Sequence, residues 1–372
     1  MLTHIEVSKA NLLHNFSQLK QTVKPGTIIV SVVKGNAYGH GITETVQILK
    51  DVTDWFGVIS IEDIRAVRAY SDKPVMVLGY LADEDLEEAV KLDTIFDVYS
   101  IDRLERLNSI GLKCNKNIAV HLKIDALLGR QGFLVSELKQ VLERLPSLPR
   151  IQLEGIYAHF ANIEDTRDFS HAQKQIDTFQ AAKDLVKAHG YFIHTHISST
   201  AGSLVYEKIK HENDIVRFGI GLYGMWPSHY LQSDMEHNME LKPVMRWLSK
   251  IAQVKTLPAE HPIGYGLTYT TSKDTRIAVV PVGYYDGYDR GLSNKGEVLI
   301  SGTRCKVIGR VAMNMIVVDI SHLKDVHVED DVVLLGTQGD EIVTAEEIAK
   351  HIDTINYEVT TRINPLLSRQ VI

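Results

Sequence analysis

Between residues 27 and 220, short apolar runs alternate with amphipathic stretches over most of the first half of the 372-residue chain. The runs fall at 27–33, 54–59, 74–79, 95–99, 117–124, 151–158, 192–198 and 214–218. The first, Thr27-Ile28-Ile29-Val30-Ser31-Val32-Val33, is β-branched and apolar on both faces. That pattern suits a parallel strand covered on both sides. Helical patterns such as Asp63–Tyr70 and 167–189 lie between the runs. Eight strands separated by helices predict a (β/α)8 barrel; a doubly wound open sheet is the alternative that periodicity leaves open.

After about residue 240 the texture changes. Val244–Val254, Arg276–Val282, Glu297–Ile300, Lys306–Val311, Met315–Asp319 and Asp331–Leu335 read as short strands, with turns at Ser301-Gly302 and Gln338-Gly339. One clear helix is expected, opened by the capping box Thr344-Ala345-Glu346-Glu347. This half is expected to be a separate, mostly β domain, giving a barrel over 1–235 and a β-rich domain over 236–372. A net charge of -7 and an even scatter of basic residues argue against a nucleic-acid groove or an anionic membrane surface. Cys114 and Cys305 are far apart and outside metal-type spacing, so neither a disulfide scaffold nor a metal site is indicated. No signal-type start and no run long enough for a bilayer are visible, which predicts a cytoplasmic location.

Unusual polar residues gather at the C-terminal ends of the expected barrel strands. Lys34 and Tyr38 follow the first, Lys123 and Asp125 end the fifth with Arg130 just beyond, and His159 ends the sixth. Ser198, Ser199 and Thr200 end the seventh, and Arg217-Phe218-Gly219-Ile220-Gly221 the eighth. Barrel enzymes carry their active sites on this rim. Burial at a strand exit lowers a lysine's pKa and makes it a nucleophilic amine, the requirement of Schiff-base chemistry. Ser199 and Thr200 offer donors where a helix would begin, and Gly219-Ile220-Gly221 lets backbone approach an anion. A lysine after strand one facing a phosphate site after strands seven and eight suits pyridoxal phosphate.

Val33-Lys34-Gly35-Asn36-Ala37-Tyr38-Gly39-His40-Gly41 resembles the lysine motif of the alanine racemases, with Gly35 where alanine is usual. Tyr157-Ala158-His159-Phe160-Ala161 and Val216-Arg217-Phe218-Gly219-Ile220-Gly221 are similar to two further barrel segments of that family. Gly264-Tyr265-Gly266, Pro281–Gly287 with Arg290, and Asn356-Tyr357-Glu358 match its second domain. The resemblance implies a (β/α)8 barrel followed by a β domain, pyridoxal phosphate on Lys34, and a homodimer whose sites combine one subunit's barrel with the other's β domain. It implies that Tyr38 contacts the cofactor phosphate, with Ser199, Thr200, Gly219 and Ile220, and that Arg217 faces the pyridine nitrogen. It further implies Tyr265 of the partner subunit as the second proton carrier beside Lys34, with His159 among the catalytic residues. Arg130, Met313, Tyr284, Tyr265 and Tyr357 would line the substrate side, and a carbamylated Lys123 would position Arg130. The implied reaction is interconversion of L- and D-alanine, supplying D-alanine for bacterial peptidoglycan.

Two segments depart from that pattern. Asp125-Ala126-Leu127-Leu128-Gly129-Arg130 stands where an Asp-Thr-Gly-Met-Gly-Arg type run is usual, and Met313-Asn314 replaces Met-Asp. These bear on substrate choice, so a racemase for serine or a broader set of amino acids is the nearest rival. Barrel-type amino-acid decarboxylases place a carboxylate near the pyridine nitrogen, which Arg217 opposes. A non-catalytic pyridoxal-phosphate carrier built from a barrel alone would lack the second domain.

Overall fold

The structure, a computed structural model, describes residues 2–207 and 213–372. The chain forms two compact units: Leu12–Ala37 with Thr45–Lys242, and Met1–Asn11 with Tyr38–Glu44 and Pro243–Ile372.

The first unit is built on eight parallel strands, in spatial order His194–His196, Ile151–Tyr157, Ile118–Lys123, Thr94–Val98, Val75–Val77, Trp55–Val58, Ile28–Val32 and Ile215–Phe218. Each strand lies beside its neighbour in sequence, and Ile28–Val32 also pairs with Ile215–Phe218. The remaining gap is closed by backbone bonds from Asp214 N to Thr195 O and from Arg217 N to Ser198 O, both 3.1 Å. The sheet is therefore a closed barrel and not the open alternative. Its helices include Ile61–Arg68 and Ile101–Cys114, whose N-termini are capped by Ser60 (3.2 Å from Asp63 N) and Ser100 (3.2 Å from Arg103 N). Each cap stops the strand before it within two residues and turns the chain over the C-terminal rim.

Alternation along the strands fills the barrel interior. His121 and Lys123 share one face of the fifth strand, and register sets them beside Gly155 and Tyr157 on the sixth. A Cβ on Gly155 would lie 2.3 Å from His121 Nδ1, so only glycine leaves room for that ring. Met76, Ile95 and Tyr157 pack together below, with Trp55 against them.

In the second unit, the principal sheet runs Thr303–Lys306, Glu297–Ile300, Asp331–Gln338, Met245–Lys250, His4–Val7 and Arg369–Val371. His4–Val7 pairs antiparallel with Met245–Lys250 and parallel with Arg369–Val371, which places the chain's start in this unit. Gln253–Leu257, Thr275–Val280 and Ile316–Asp319 form a second, antiparallel sheet. The expected strand Val244–Val254 is thus two strands in different sheets, parted at Ile251-Ala252. The expected strand Lys306–Val311 lies earlier, at Thr303–Lys306, because the two-residue turn Ser301–Gly302 pairs Ile300 with Thr303 at once. Helix Ala345–Ile352 forms with Thr344 Oγ1 accepting from Glu347 N at 3.1 Å, and a further helix, Asn356–Thr361, follows it.

Candidate active site

Lys34 leaves the first barrel strand directly into a left-handed turn. Gly35, Asn36 and Ala37 have φ/ψ of 63/43°, 53/47° and 53/51°, and Tyr38 has φ 54°. Left-handed backbone costs roughly 1–2 kcal/mol per residue with a Cβ, so glycine at 35 relieves one of four strained positions. Ala37 N donates to Val33 O at 2.8 Å and ties the turn to the strand end. Burial, and then the cations Arg130 and Arg217, draw the Lys34 ammonium below the usual range, while Asp63 opposes them.

Arg217 is the hub of the barrel interior. Its Nη2 donates to Ala158 O (2.9 Å), Ile197 O (3.0 Å) and His159 Nδ1 (3.3 Å), and its Nη1 donates to His196 Nδ1. Burial brings its pKa down to about 10, so it stays a cation at neutral pH. A guanidinium only donates, which fixes both histidines. His159 and His196 must each accept at Nδ1 and, when neutral, carry their proton on Nε2. His196 Nε2 therefore donates to His121 Nδ1, 2.9 Å away, and His121 in turn holds its proton on its own Nε2. All three rings are kept neutral, chiefly by burial: His121 falls to about 3, and His159 and His196 lie well below the ordinary histidine value.

Tyr157 stacks on His196 with ring centroids 4.8 Å apart and planes 6° apart, and its hydroxyl donates to Asp97 Oδ2 at 2.8 Å. Lys123 Nζ lies 5.4 Å from the centre of the same ring and donates to Gln131 Oε1 at 3.2 Å. Burial pushes the Asp97 carboxyl up to about 7, opposed by Lys123. Burial draws Lys123 down to about 8, opposed by Asp97 and aided by Arg130, Arg217 and Lys34. Lys34, Lys123, Arg130, His159 and Arg217 thus share one field at the barrel mouth.

Thr200 Oγ1 accepts from Gly219 N at 3.0 Å, which joins the ends of the seventh and eighth strands. That N–H is committed within the protein, so Gly219 offers an anion its flexibility and not its donor. The Thr200 O–H and the half-buried Ser199 hydroxyl, which makes no capping bond, remain donors at this end of the barrel.

In the second unit, Tyr38 and Tyr357 meet with ring centroids 6.1 Å apart. Burial pushes the Tyr38 phenol up to about 12. Tyr265 occupies the tip between strands Pro262–Ile263 and Tyr269–Thr270 and is 73% exposed. Tyr284 N donates to Ala312 O (3.1 Å) and Tyr285 N to Met313 O (3.0 Å), which ties the two segments together; Tyr284 and Met313 are both exposed. Among the described residues no three histidine, cysteine, aspartate or glutamate side chains are grouped to hold a metal ion. No helix among them is long and apolar enough to cross a membrane.

Two family profiles, "Alanine racemase, N-terminal domain" and "Alanine racemase, C-terminal domain", match residues 7–227 and 244–371. The chain belongs to the alanine racemase family. The alanine racemase of Syntrophobacter fumaroxidans is 39% identical over 359 residues, covering 95% of this chain and 93% of its relative. The solved alanine racemase of Clostridium difficile superposes with a TM-score of 0.92 at 32% identity, covering 100% of this chain and 96% of that one. The Bacillus anthracis alanine racemase, solved with bound L-Ala-P, gives 0.92 at 30% identity, covering 100% and 95%. Alanine racemases are isomerases, and this fold of barrel plus mostly β domain is theirs.

Asp97, His121, Tyr157 and His196 were not among the candidates drawn from the sequence. Their signal was present: Asp97 interrupts the apolar run Thr94–Val98, and His121 the run Ile118–Leu122. Only barrel closure shows that both point inward, where an unpaired polar group is costly.

Proposed function

We propose that the protein interconverts L- and D-alanine with pyridoxal phosphate, using Lys34 on one face of the substrate and Tyr265 of the partner subunit on the other. The reading is carried by the Arg217 hub, which fixes His159 as an Nε2–H donor beside a lysine of lowered pKa. The donor set fits the cofactor: the Lys34 amine, the Arg217 Nε–H outside the bonds described, and the hydroxyls of Ser199, Thr200 and Tyr38. Tyr357, which meets Tyr38, and the turn at Gly219-Ile220 are carried over from the family resemblance. When bound, the cofactor supplies the electron sink that makes the substrate Cα–H acidic.

Racemisation removes a proton from one face and returns one on the other, so two carriers are needed. Lys34 Nζ serves one face, and burial together with the neighbouring Arg130 and Arg217 eases release of its proton. The Tyr265 Oη serves the other. A bond donated by His159 Nε2–H stabilises the phenolate form of that carrier. Arg217 holds its own proton and offers the cofactor nitrogen a hydrogen bond. A guanidinium in that position would restrain the electron sink and so limit side reactions such as transamination. Arg130, Tyr284, Met313 and Tyr357 face the substrate; Tyr357 crowds the side-chain space and favours alanine over larger amino acids. D-alanine production for peptidoglycan in the cytoplasm is the proposed physiological role.

The test is a panel of L-amino acids assayed for D-product, with Lys34→Ala and Tyr265→Phe as controls. Lys34→Ala should abolish exchange, and Tyr265→Phe should suppress racemisation in both directions. Full two-way racemisation by Tyr265→Phe would sink the assignment.

A further inference from the structure

Asp97 and Lys123 present complementary deficits inside the barrel. Asp97 is 5% exposed; its Oδ2 accepts from Tyr157, but its Oδ1 is buried with no hydrogen-bond partner among the described residues. Lys123 is 3% exposed, and its three-donor ammonium has one described acceptor, Gln131 Oε1. An unsatisfied buried carboxylate oxygen and an under-used buried ammonium are each strongly unfavourable alone. Tyr157 lies between them, holding Asp97 with its hydroxyl and Lys123 above its ring. The other cation in the field of Asp97, Arg103, is already engaged by Asp83 (3.1 Å) and by Leu81 O (3.1 Å).

We propose that Asp97 is the resident counter-charge of Lys123, linked to it through one water beside the Tyr157 side chain that both contact, and that it makes an added carboxyl group on this lysine superfluous. Lys123 then works as an unmodified ammonium and not as the carbamate that the family resemblance implies. Carbamylation of the ammonium joins Lys123 Nζ to the carbon of carbon dioxide, releases two protons to solvent and leaves the negative charge on the new carboxylate. Here that would set two anions in one pocket and remove the partner of Asp97. Asp97 is a positioning residue: Lys123 holds Gln131, Gln131 Nε2 donates to Tyr99 Oη at 3.2 Å, and Gln131 follows Arg130 directly. The proposal deepens the reading of the same site, but its test does not measure racemisation, so the two can fail separately.

The experiment is 13C NMR of the full-length holoenzyme equilibrated with 13C-bicarbonate, for the native protein, Asp97→Asn and the double variant Asp97→Asn/Lys123→Gln. The native protein should show no bound carbamate carbon. Asp97→Asn, which keeps an acceptor for Tyr157 but removes the charge, should gain one, and the double variant should lose it again. A carbamate on native Lys123 overturns the proposal, even if no variant folds. So does a folded Asp97→Asn that remains unlabelled.

Discussion

Arg217 reaches four acceptors with two of its nitrogens, and because it cannot accept a hydrogen bond it orders every proton around it. That one residue sets His159 as a donor toward the mouth and His196 as a donor toward His121. Arg217→Glu would reverse these directions and give the cofactor nitrogen a proton-sharing partner. The ratio of racemisation to transamination should then fall at least about tenfold, equivalent to about 1.4 kcal/mol between the competing barriers. Product analysis by chiral chromatography together with pyruvate detection reads both reactions. An unchanged ratio would show that the guanidinium does not restrain the sink.

At the scale of elements, two glycines carry testable constraints. Gly35→Ala puts a Cβ at a φ of 63°, so it should cost about 1 kcal/mol of stability in urea titration while Lys34 stays in place. Gly155→Ala drives a methyl into the His121 ring in a closed interior and should cost about 1–3 kcal/mol. Apolar runs such as Thr27–Val33 announced the barrel strands because a strand covered on both faces leaves few other compositions. The left-handed turn was only partly legible: Gly35-Asn36 is compatible with left-handed backbone, but Ala37 and Tyr38 carry no such signature, and their conformation follows from the strand exit and the bond to Val33. Nor was the break at Ile251-Ala252, where continuous apolarity hides a change of sheet. Helix Asn356–Thr361 is too short to show periodicity. The mouth residues Lys34, Lys123, His159 and Arg217 could be found as polar groups at strand ends. The inward Asp97, His121 and His196 needed the register, because in sequence they are single polar residues in apolar strands.

For the whole molecule, three buried neutral histidines link folding to pH. His121 titrates near 3 in the native state, against 6.5 when unfolded, and His159 and His196 shift in the same direction. Below 6.5 the unfolded chain binds protons that the native one refuses, so stability falls as pH drops, by up to about 1.4 kcal/mol per unit for each ring. Asp97, raised from 3.8 to about 7, runs the opposite way between those values and offsets one ring. The urea midpoint should therefore decline steadily from pH 6.5 to 5; a flat midpoint would mean that the rings are charged or solvated in the native state. The exposed Tyr265 at its hairpin tip makes sense as a group offered to a second subunit, and that is the most direct point of attack. Lys34→Ala and Tyr265→Ala are each expected to be inactive as homodimers. If each site takes Lys34 from one subunit and Tyr265 from the other, mixed dimers hold one intact site and one doubly damaged site. Co-refolded in equal amounts, they should regain about a quarter of wild-type alanine racemisation, as random pairing in a two-fold dimer requires. Mixtures no more active than their components would contradict the shared two-carrier site.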